Sequence, residues 1–126
     1  MDALYHEELL EHYKFPQNKG KIDQPDFSFT DKNPLCGDVC HIDVRVKKNK
    51  IEEIKFDASG CAISQAATSM LCDAVEGKPL EEVKKMGKEE VLKLVGIELG
   101  PVRLKCALLC LKVLKSAVYG VKDWPT

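Results

Sequence analysis

Residues 39–70 read VCHIDVRVKKNKIEEIKFDASGCAISQAATSM, and the spacing of their apolar side chains changes once along the stretch. Apolar and polar residues alternate over 39–47 and again over 50–57, with Lys48-Asn49 between them, which predicts two strands joined by a tight turn. The part that follows is rich in Ala, Ser and Met and predicts a helix over 61–76. The stretch therefore predicts an antiparallel hairpin followed directly by a helix.

The flanking sequence adds one short strand and further helices. Phe27-Ser28-Phe29-Thr30 alternates and predicts a third strand. The tail from Val121 to Thr126 is expected to be loose. We therefore predict one α+β domain over residues 1–126, in which helices pack on one face of a small antiparallel sheet of about three strands. Helical spacing with glycine and proline boundaries predicts the remaining helices over 3–14, 80–86, 88–95 and from Pro101 to the residue before Gly120.

The composition restricts the classes of function. A chain of 126 residues with 44% hydrophobic residues is long enough to bury a single core without disulfides. Its formal net charge of -1 gives no electrostatic reason to expect a nucleic-acid or membrane partner. No apolar run reaches the ~20 residues of a membrane span, and the acidic N-terminal sequence does not resemble a signal peptide, so a reducing cytoplasm is expected. Six cysteines in that compartment favour metal or thiol chemistry over a disulfide framework.

Three of the cysteines lie in segments with chemically useful neighbours. Three thiolates and the Asp38 carboxylate form a four-ligand set that suits a soft or borderline metal ion. We therefore predict Cys36, Asp38, Cys61 and Cys106 as metal ligands. The segments are Asn33-Pro34-Leu35-Cys36-Gly37-Asp38, Ser59-Gly60-Cys61-Ala62-Ile63-Ser64 and Arg103-Leu104-Lys105-Cys106-Ala107.

Local structure favours the thiolate form in two of these segments. Cys61 follows Gly60 at the predicted start of a helix, where the partial positive charge of the helix terminus stabilises a thiolate. Lys105 has the same effect on Cys106 through its own charge. Lys105 is also placed to pair with Asp38 and to hold that carboxylate away from a metal, so we predict that it modulates the site.

Each of these residues also has a structural interpretation. Cys106 lies among leucines, where any small apolar side chain would fit. Asp38 follows a glycine and is a common type of turn-capping residue. Cys110 lies one helical turn after Cys106 and is a reserve ligand at most. The other cysteines and the histidines, which lack ligand spacing to a cysteine, are predicted to be structural; they are Cys40, Cys72, Cys110, His6, His12 and His41.

The three cysteine segments resemble the signatures of the iron–sulfur cluster assembly scaffold family, which comprises IscU, SufU and the N-terminal domain of NifU. The resemblance covers nearly the whole chain. It implies that Cys36, Cys61 and Cys106 bind a [2Fe–2S] cluster and accept sulfur, and that Asp38 is a further ligand or promotes cluster release. It also implies that the three cysteines meet at one exposed tip of the fold. The partners implied are a cysteine desulfurase and apo iron–sulfur proteins, with the cluster held by one chain or shared within a homo-oligomer.

Two positions depart from the IscU pattern. Lys105 stands where IscU proteins carry histidine, which is similar to SufU, although the segment between Cys61 and Cys106 leaves no room for the insertion typical of SufU. Leu99-Gly100-Pro101-Val102-Arg103 differs from the leucine-proline-proline-valine-lysine loop that a dedicated Hsp70 chaperone recognises in IscU. The resemblance therefore leaves Zn²⁺ open as an alternative occupant, and a chaperone partner is not expected.

The residues leave three functions open. The first is a scaffold, a carrier and not a catalyst, on which a labile [2Fe–2S] cluster is assembled and then transferred. The second is a zinc-dependent sulfurtransferase, similar to SufU, that accepts persulfide sulfur from the desulfurase. The third is a structural zinc domain that mediates binding and would unfold without its metal.

Overall fold

The computed structural model describes residues 3–34, 37–120 and 124–125, and side chains from Glu7 onward. Within these residues the chain folds as the sequence predicts, with one helix, a small sheet and then further helices. The elements in chain order are α1 (Ala3–Lys14), β1 (Phe27–Lys32), β2 (Val39–Lys47), β3 (Lys50–Ser59), α2 (Ala62–Val75), α3 (Leu80–Lys85), α4 (Lys88–Val95) and α5 (Pro101–Tyr119).

The strands form one antiparallel sheet in the order β1-β2-β3, which confirms the α+β prediction. β1 continues two residues beyond the predicted strand, to Lys32, which pairs with Val39 at the start of β2. β3 likewise continues to Ser59, which pairs with the same Val39 from the other side. Three strand ends therefore meet around Val39, directly beside Asp38 and Gly60.

A bulge changes which residues of β3 face the core. The register shifts between Arg45 and Val46, so that Val46 pairs with Ile51 while Val44 pairs with Ile54. The extra residue absorbs the uneven spacing between the two isoleucines. Both isoleucines are fully buried, and the core face of β3 carries one more apolar side chain than simple alternation predicts.

Helices α2 and α5 cover one face of the sheet. α2 contacts β3, α5 contacts β1 and β2, and the two helices pack on each other. α1 and α4 also pack against α2, so α2 is enclosed by several elements. Small residues permit this close packing. The buried residues of α2 are Ile63, Ser64, Ala66, Ala67, Thr68, Ser69, Met70, Leu71, Cys72 and Val75.

The helix boundaries follow local signals. α5 begins at Pro101, whose fixed φ and missing N–H suit a first helical turn, and it ends at Gly120 with φ +70°. α2 begins one residue later than predicted because Cys61 is its N-cap. Within the described residues, no helix is both long and apolar enough to cross a bilayer.

The three cysteines assigned to packing lie inside the core. Cys40, Cys72 and Cys110 are at most 1% exposed, and the Cys40 thiol lies 3.9 Å from the Thr68 hydroxyl. Burial raises the pKa of the Cys110 thiol to about 12, and it also raises the pKa of Cys40 and Cys72. These thiols are protonated at neutral pH, which confirms the packing interpretation.

Candidate metal centre

The fold brings three of the predicted ligands together. Asp38, Cys61 and Cys106 each place one ligand atom within 4.8 Å of the others, although the residues are distant in sequence. Asp38 precedes β2, Cys61 precedes α2 and Cys106 lies in α5, so the sheet and its two covering helices converge at this point. Cys36 lies outside the described residues, and its role as the fourth ligand stays a prediction.

A closed turn presents Asp38 to the other ligands. The Asn33 amide donates to the Asp38 carbonyl at 2.8 Å, and the Gly37 amide donates to the Asn33 carbonyl at 2.8 Å. Gly37 has φ +75°, a left-handed conformation that glycine adopts without strain. The turn therefore holds Asp38 at the point where β2 begins.

The Asp38 carboxylate is bound to the start of α2. The Cys61 amide donates to Oδ1 of Asp38 at 2.8 Å, and the Cys61 thiol donates to Oδ2 at 3.4 Å. Gly60 makes this approach possible, because a Cβ at residue 60 would lie 2.0 Å from Oδ1 of Asp38. Gly60 also has φ +118°, so both its backbone conformation and the space around it require glycine.

The Cys61 sulfur occupies the N-cap position of α2. The Ser64 amide donates to this sulfur at 3.4 Å. An N-cap side chain normally accepts such a bond through oxygen, and here sulfur takes that place. This N-cap interaction holds the Cys61 sulfur at the start of α2, beside the Asp38 carboxylate.

Asn33 links the turn to Cys106, and the sequence analysis gave it no role. Its side-chain amide donates to Cys106 Sγ at 3.9 Å, and the residue is fully buried. A buried amide needs hydrogen-bond partners, and Asn33 bonds with both Asp38 and Cys106. The sequence offered one signal for this role, which is a polar residue at the start of the Asn33-to-Asp38 segment. Without the fold, that residue indicated only a turn.

The expectation that the three cysteines meet at an exposed tip is wrong for Cys106, and Cys36 lies outside the described residues. Asp38 is 1% exposed and Cys106 is 2% exposed, whereas Cys61 is partly exposed. Cys106 is covered because it lies in the second turn of α5, beside Asn33 and the end of β1. Among the described ligands, Cys61 therefore offers the approach from solvent.

The pairing of Lys105 with Asp38 stays a prediction, and the structure shows Lys105 beside an aromatic ring. The Lys105 ammonium lies 5.4 Å from the centroid of the Trp124 ring. Trp124 is partly buried and packs against the core, so this residue of the tail is not loose as predicted.

The described histidine side chains bond elsewhere. His41 Nε2 lies 2.7 Å from Oδ1 of Asp43 on the same strand, and Ser28 donates to that same oxygen at 2.7 Å. His12 Nδ1 lies 2.7 Å from the Ser69 hydroxyl, where α1 meets α2. His12 thus connects α1 with α2, and His41 connects β2 with β1 because its Nε2 also lies 3.3 Å from the Ser28 hydroxyl. The His6 side chain lies outside the description.

The donor set fits a soft or borderline metal. Two thiols and a carboxylate converge within contact distance of one another, and deprotonated thiols are ligands for Zn²⁺ and for iron–sulfur clusters alike. The Cys61 thiol donates a hydrogen bond to the Asp38 carboxylate. Loss of the thiol proton would leave a thiolate sulfur and a carboxylate oxygen, both negatively charged, as ligands for a metal ion. The geometry is therefore suited to holding a cation through sulfur and oxygen.

Comparison with known proteins places the chain among proteins of iron–sulfur cluster assembly. The sequence profile described as "NifU-like N terminal domain" matches residues 4–124. The iron–sulfur cluster assembly scaffold protein IscU 1 of Archaeoglobus fulgidus is 36% identical over 115 residues, which cover 91% of this chain and 74% of that protein. The zinc-dependent sulfurtransferase SufU of Bacillus subtilis is 34% identical over 136 residues, with 94% of this chain and 91% of that protein covered.

A solved structure agrees with these matches. A protein from Fervidobacterium islandicum AW-1, described as a candidate iron–sulfur cluster assembly scaffold protein for the SUF system, superposes with a TM-score of 0.75 and 28% identity. The superposition covers 91% of this chain and 96% of that one. With a sequence match over residues 4–124 and a matching fold, the chain belongs to the NifU-like N-terminal domain family.

Proposed function

We propose that the protein is a scaffold for iron–sulfur cluster assembly. It would accept sulfur from a cysteine desulfurase, assemble a labile [2Fe–2S] cluster as cargo and pass that cluster to apo iron–sulfur proteins. The single observation that carries the proposal is the convergence of Asp38, Cys61 and Cys106 within 4.8 Å. Relatives that are named as IscU scaffold proteins support it.

Sulfur transfer begins at an accessible thiol. Among the described ligands Cys61 is the partly exposed one, and its sulfur at the N-terminus of α2 would react as a thiolate. That thiolate would attack the outer sulfur of the desulfurase persulfide, so that an S–S bond forms on this chain, the S–S bond of the desulfurase breaks and its cysteine leaves as a thiolate. Reduction of the new persulfide to cluster sulfide requires electrons from a separate reductant.

The carboxylate gives the proposed cargo its lability. A hard oxygen donor binds a soft iron–sulfur cluster less tightly than a fourth thiolate would. Asp38 and Cys106 are buried, whereas Cys61 opens to solvent, so the cluster would be shielded on one side and reachable on the other. Such a site retains a cluster long enough for assembly and still releases it to an acceptor.

A zinc-dependent sulfurtransferase is the second candidate. The same sulfur and oxygen donors suit tetrahedral Zn²⁺, and Lys105 before the third cysteine agrees with SufU. The relative from Bacillus subtilis bears the name zinc-dependent sulfurtransferase and is 34% identical. In that case the protein would act with the desulfurase as a transferase, and the metal would remain in place during sulfur transfer.

Anaerobic reconstitution decides between these functions. Protein purified without oxygen would receive iron, sulfide and thiol reductant, and then an apo-ferredoxin as acceptor. A scaffold forms a chromophore that absorbs visible light and transfers it to the acceptor. A protein that keeps stoichiometric zinc, forms no chromophore and stimulates the desulfurase is the transferase.

A purely structural zinc domain makes a different prediction about metal removal. Such a domain unfolds when a chelator removes its metal. This chain buries an apolar core made from β2, β3 and all five described helices, with Phe27 and Phe29 of β1 packed against it, so we expect the metal-free protein to retain its helical circular dichroism. Cooperative unfolding on addition of chelator would instead support the structural role.

A further inference from the structure

We propose that Trp124 is a positioning residue for the metal centre, which it supports by clamping the end of β1 onto α5. This inference rests on one part of the proposed function, namely that the centre binds a metal ion. Trp124 is the single tryptophan of the chain, and it makes no direct contact with a predicted ligand among the interactions described above. Its effect on the centre would pass through Lys112, Asp31 and Asn33.

The Trp124 ring lies against two lysines of α5. The ammonium nitrogen of Lys105 is 5.4 Å from the ring centroid, and that of Lys112 is 5.2 Å from it. Residues seven apart lie two turns apart on one helix face, so one ring contacts both cations. Both distances lie within the range of a cation–π interaction. Trp124 thereby lies along the face of α5 that carries Lys105 and Lys112.

Lys112 connects this ring to the sheet. Its ammonium forms an ion pair with the Asp31 carboxylate of β1, and the Lys112 side chain is only 12% exposed. Burial by itself would raise the pKa of Asp31, but the hydrogen bond and charge of Lys112, together with its neighbour Lys32, outweigh that effect and lower it. The pair therefore draws β1 and α5 together, and the ring of Trp124 holds the Lys112 ammonium in that place.

Asn33 carries the position of β1 to the centre. It follows Asp31 by two residues, its backbone amide donates to the Asp38 carbonyl at 2.8 Å, and its side chain donates to Cys106 Sγ at 3.9 Å. A shift of the end of β1 relative to α5 would therefore separate Asp38 from Cys106. Trp124 is thus linked to Lys112 and Asp31 by side-chain contacts, and Asp31 is linked to Asn33 through the backbone.

The test compares Trp124→Ala, Trp124→Tyr and, as a matched control, Phe15→Ala, which removes an aromatic ring that is 70% exposed at the end of α1. We expect Trp124→Ala to weaken Co²⁺ binding about three- to tenfold, with a smaller thiolate-to-cobalt charge-transfer band, while Trp124→Tyr retains most of the affinity. Phe15→Ala should match the parent. Unchanged Co²⁺ affinity in Trp124→Ala would overturn the proposal.

Amide hydrogen exchange of the metal-free protein separates positioning from general stabilisation. We expect Trp124→Ala to accelerate exchange at Asn33 and Gly37, whose amides close the turn, and to leave Ile54 and Phe56 in β3 as protected as in the parent. Equal acceleration at all four amides, or none at Asn33 and Gly37, would overturn the proposal. If the parent protein binds no metal at all, the proposed function fails, and the exchange pattern still decides the role of Trp124.

Discussion

The described predicted ligands and the packing cysteines form two groups of three residues with opposite chemistry. Each group has one residue from the β2 region, one from the α2 region and one from α5. Asp38, Cys61 and Cys106 lie before β2, at the N-cap of α2 and in the second turn of α5. Cys40, Cys72 and Cys110 lie further along those same elements. In the first group, Asp38 and Cys61 accept hydrogen bonds from backbone N–H groups and Cys106 accepts one from the Asn33 side chain, whereas the second group is buried in the apolar core. A cysteine is thus a candidate ligand or an inert core residue according to the groups that the fold places around its sulfur.

The largest expected effect is on metal affinity. We expect Cys61→Ala and Cys106→Ala each to weaken Zn²⁺ binding by about 100-fold or more, because each removes a thiolate from the donor set. The matched controls Cys72→Ala and Cys110→Ala, on the same two helices, should stay within a small factor of the parent. Competition with a chromophoric chelator measures the affinities. Equal losses in Cys106→Ala and Cys110→Ala would mean that Cys110 is a ligand after all.

The next effect concerns the close approach between Gly60 and Asp38. Gly60→Ala would place a Cβ 2.0 Å from Oδ1 of Asp38, and we expect it to lower the free energy of unfolding by about 3 kcal/mol and to abolish tight metal binding. Gly77→Ala is a matched control, since Gly77 also has positive φ but no atom lies within 4 Å of its Cβ position. Urea unfolding measures both variants. Similar losses would show that backbone conformation alone accounts for the requirement at residue 60.

Alkaline pH should lower the free energy of unfolding because the buried cysteines, unlike thiols in the unfolded chain, resist ionisation. The pKa of Cys110 is about 12 in the folded protein, whereas the thiol of the unfolded chain ionises near its usual value of 9.0. The native state therefore binds the proton more tightly, and the stability that this thiol contributes is present below pH 9 and is lost as pH rises toward 12. We expect Cys110→Ala to reduce the fall in unfolding free energy between pH 8 and pH 10 by about 1 kcal/mol. An identical fall in parent and variant would contradict the burial of this thiol.

The smallest expected effect tests the oxygen donor. We expect Asp38→Ala to slow chelator-driven loss of a reconstituted cluster several-fold, because the labile oxygen ligand is absent. Removing the acceptor of the Cys61 amide should also lower the stability of the metal-free protein by about 1 kcal/mol. Asp57→Ala, at an exposed carboxylate of β3, is the control for a general charge effect. Cluster loss as fast as in the parent would show that Asp38 does not set the lability.

Much of the fold could be predicted because local signals agree along the chain. Alternation over Val39–Lys47 predicted β2 with its observed bounds, and Pro101 and Gly120 marked the ends of α5. The ends of β1 and β3 were predicted two residues short. Pairing with Val39 extends both strands, and the apolar pattern of the sequence does not show this pairing. The bulge at Arg45 was also missed, since a shift of register depends on two strands at once.

For the site, residue types indicated the chemistry and the fold determined the arrangement. Cys61 and Cys106 were predicted as ligands from their neighbours and from a family resemblance, and the structure brings both to Asp38. The burial of Cys106 and the contact between Lys105 and Trp124 were not predicted. Burial depends on which elements cover a residue, and the partner of a long flexible side chain depends on everything within its reach.

The sequence by itself determined the elements, the candidate donors and the packing role of the other three cysteines, because these depend on side-chain chemistry and on backbone preferences of a few adjacent residues. Only the tertiary structure decided that Asn33 joins Asp38 to Cys106, that Gly60 leaves space for a carboxylate, and that Cys106 is buried. The physical reason is that distances between residues far apart in sequence, and the water that those residues exclude, are set by packing of the whole domain.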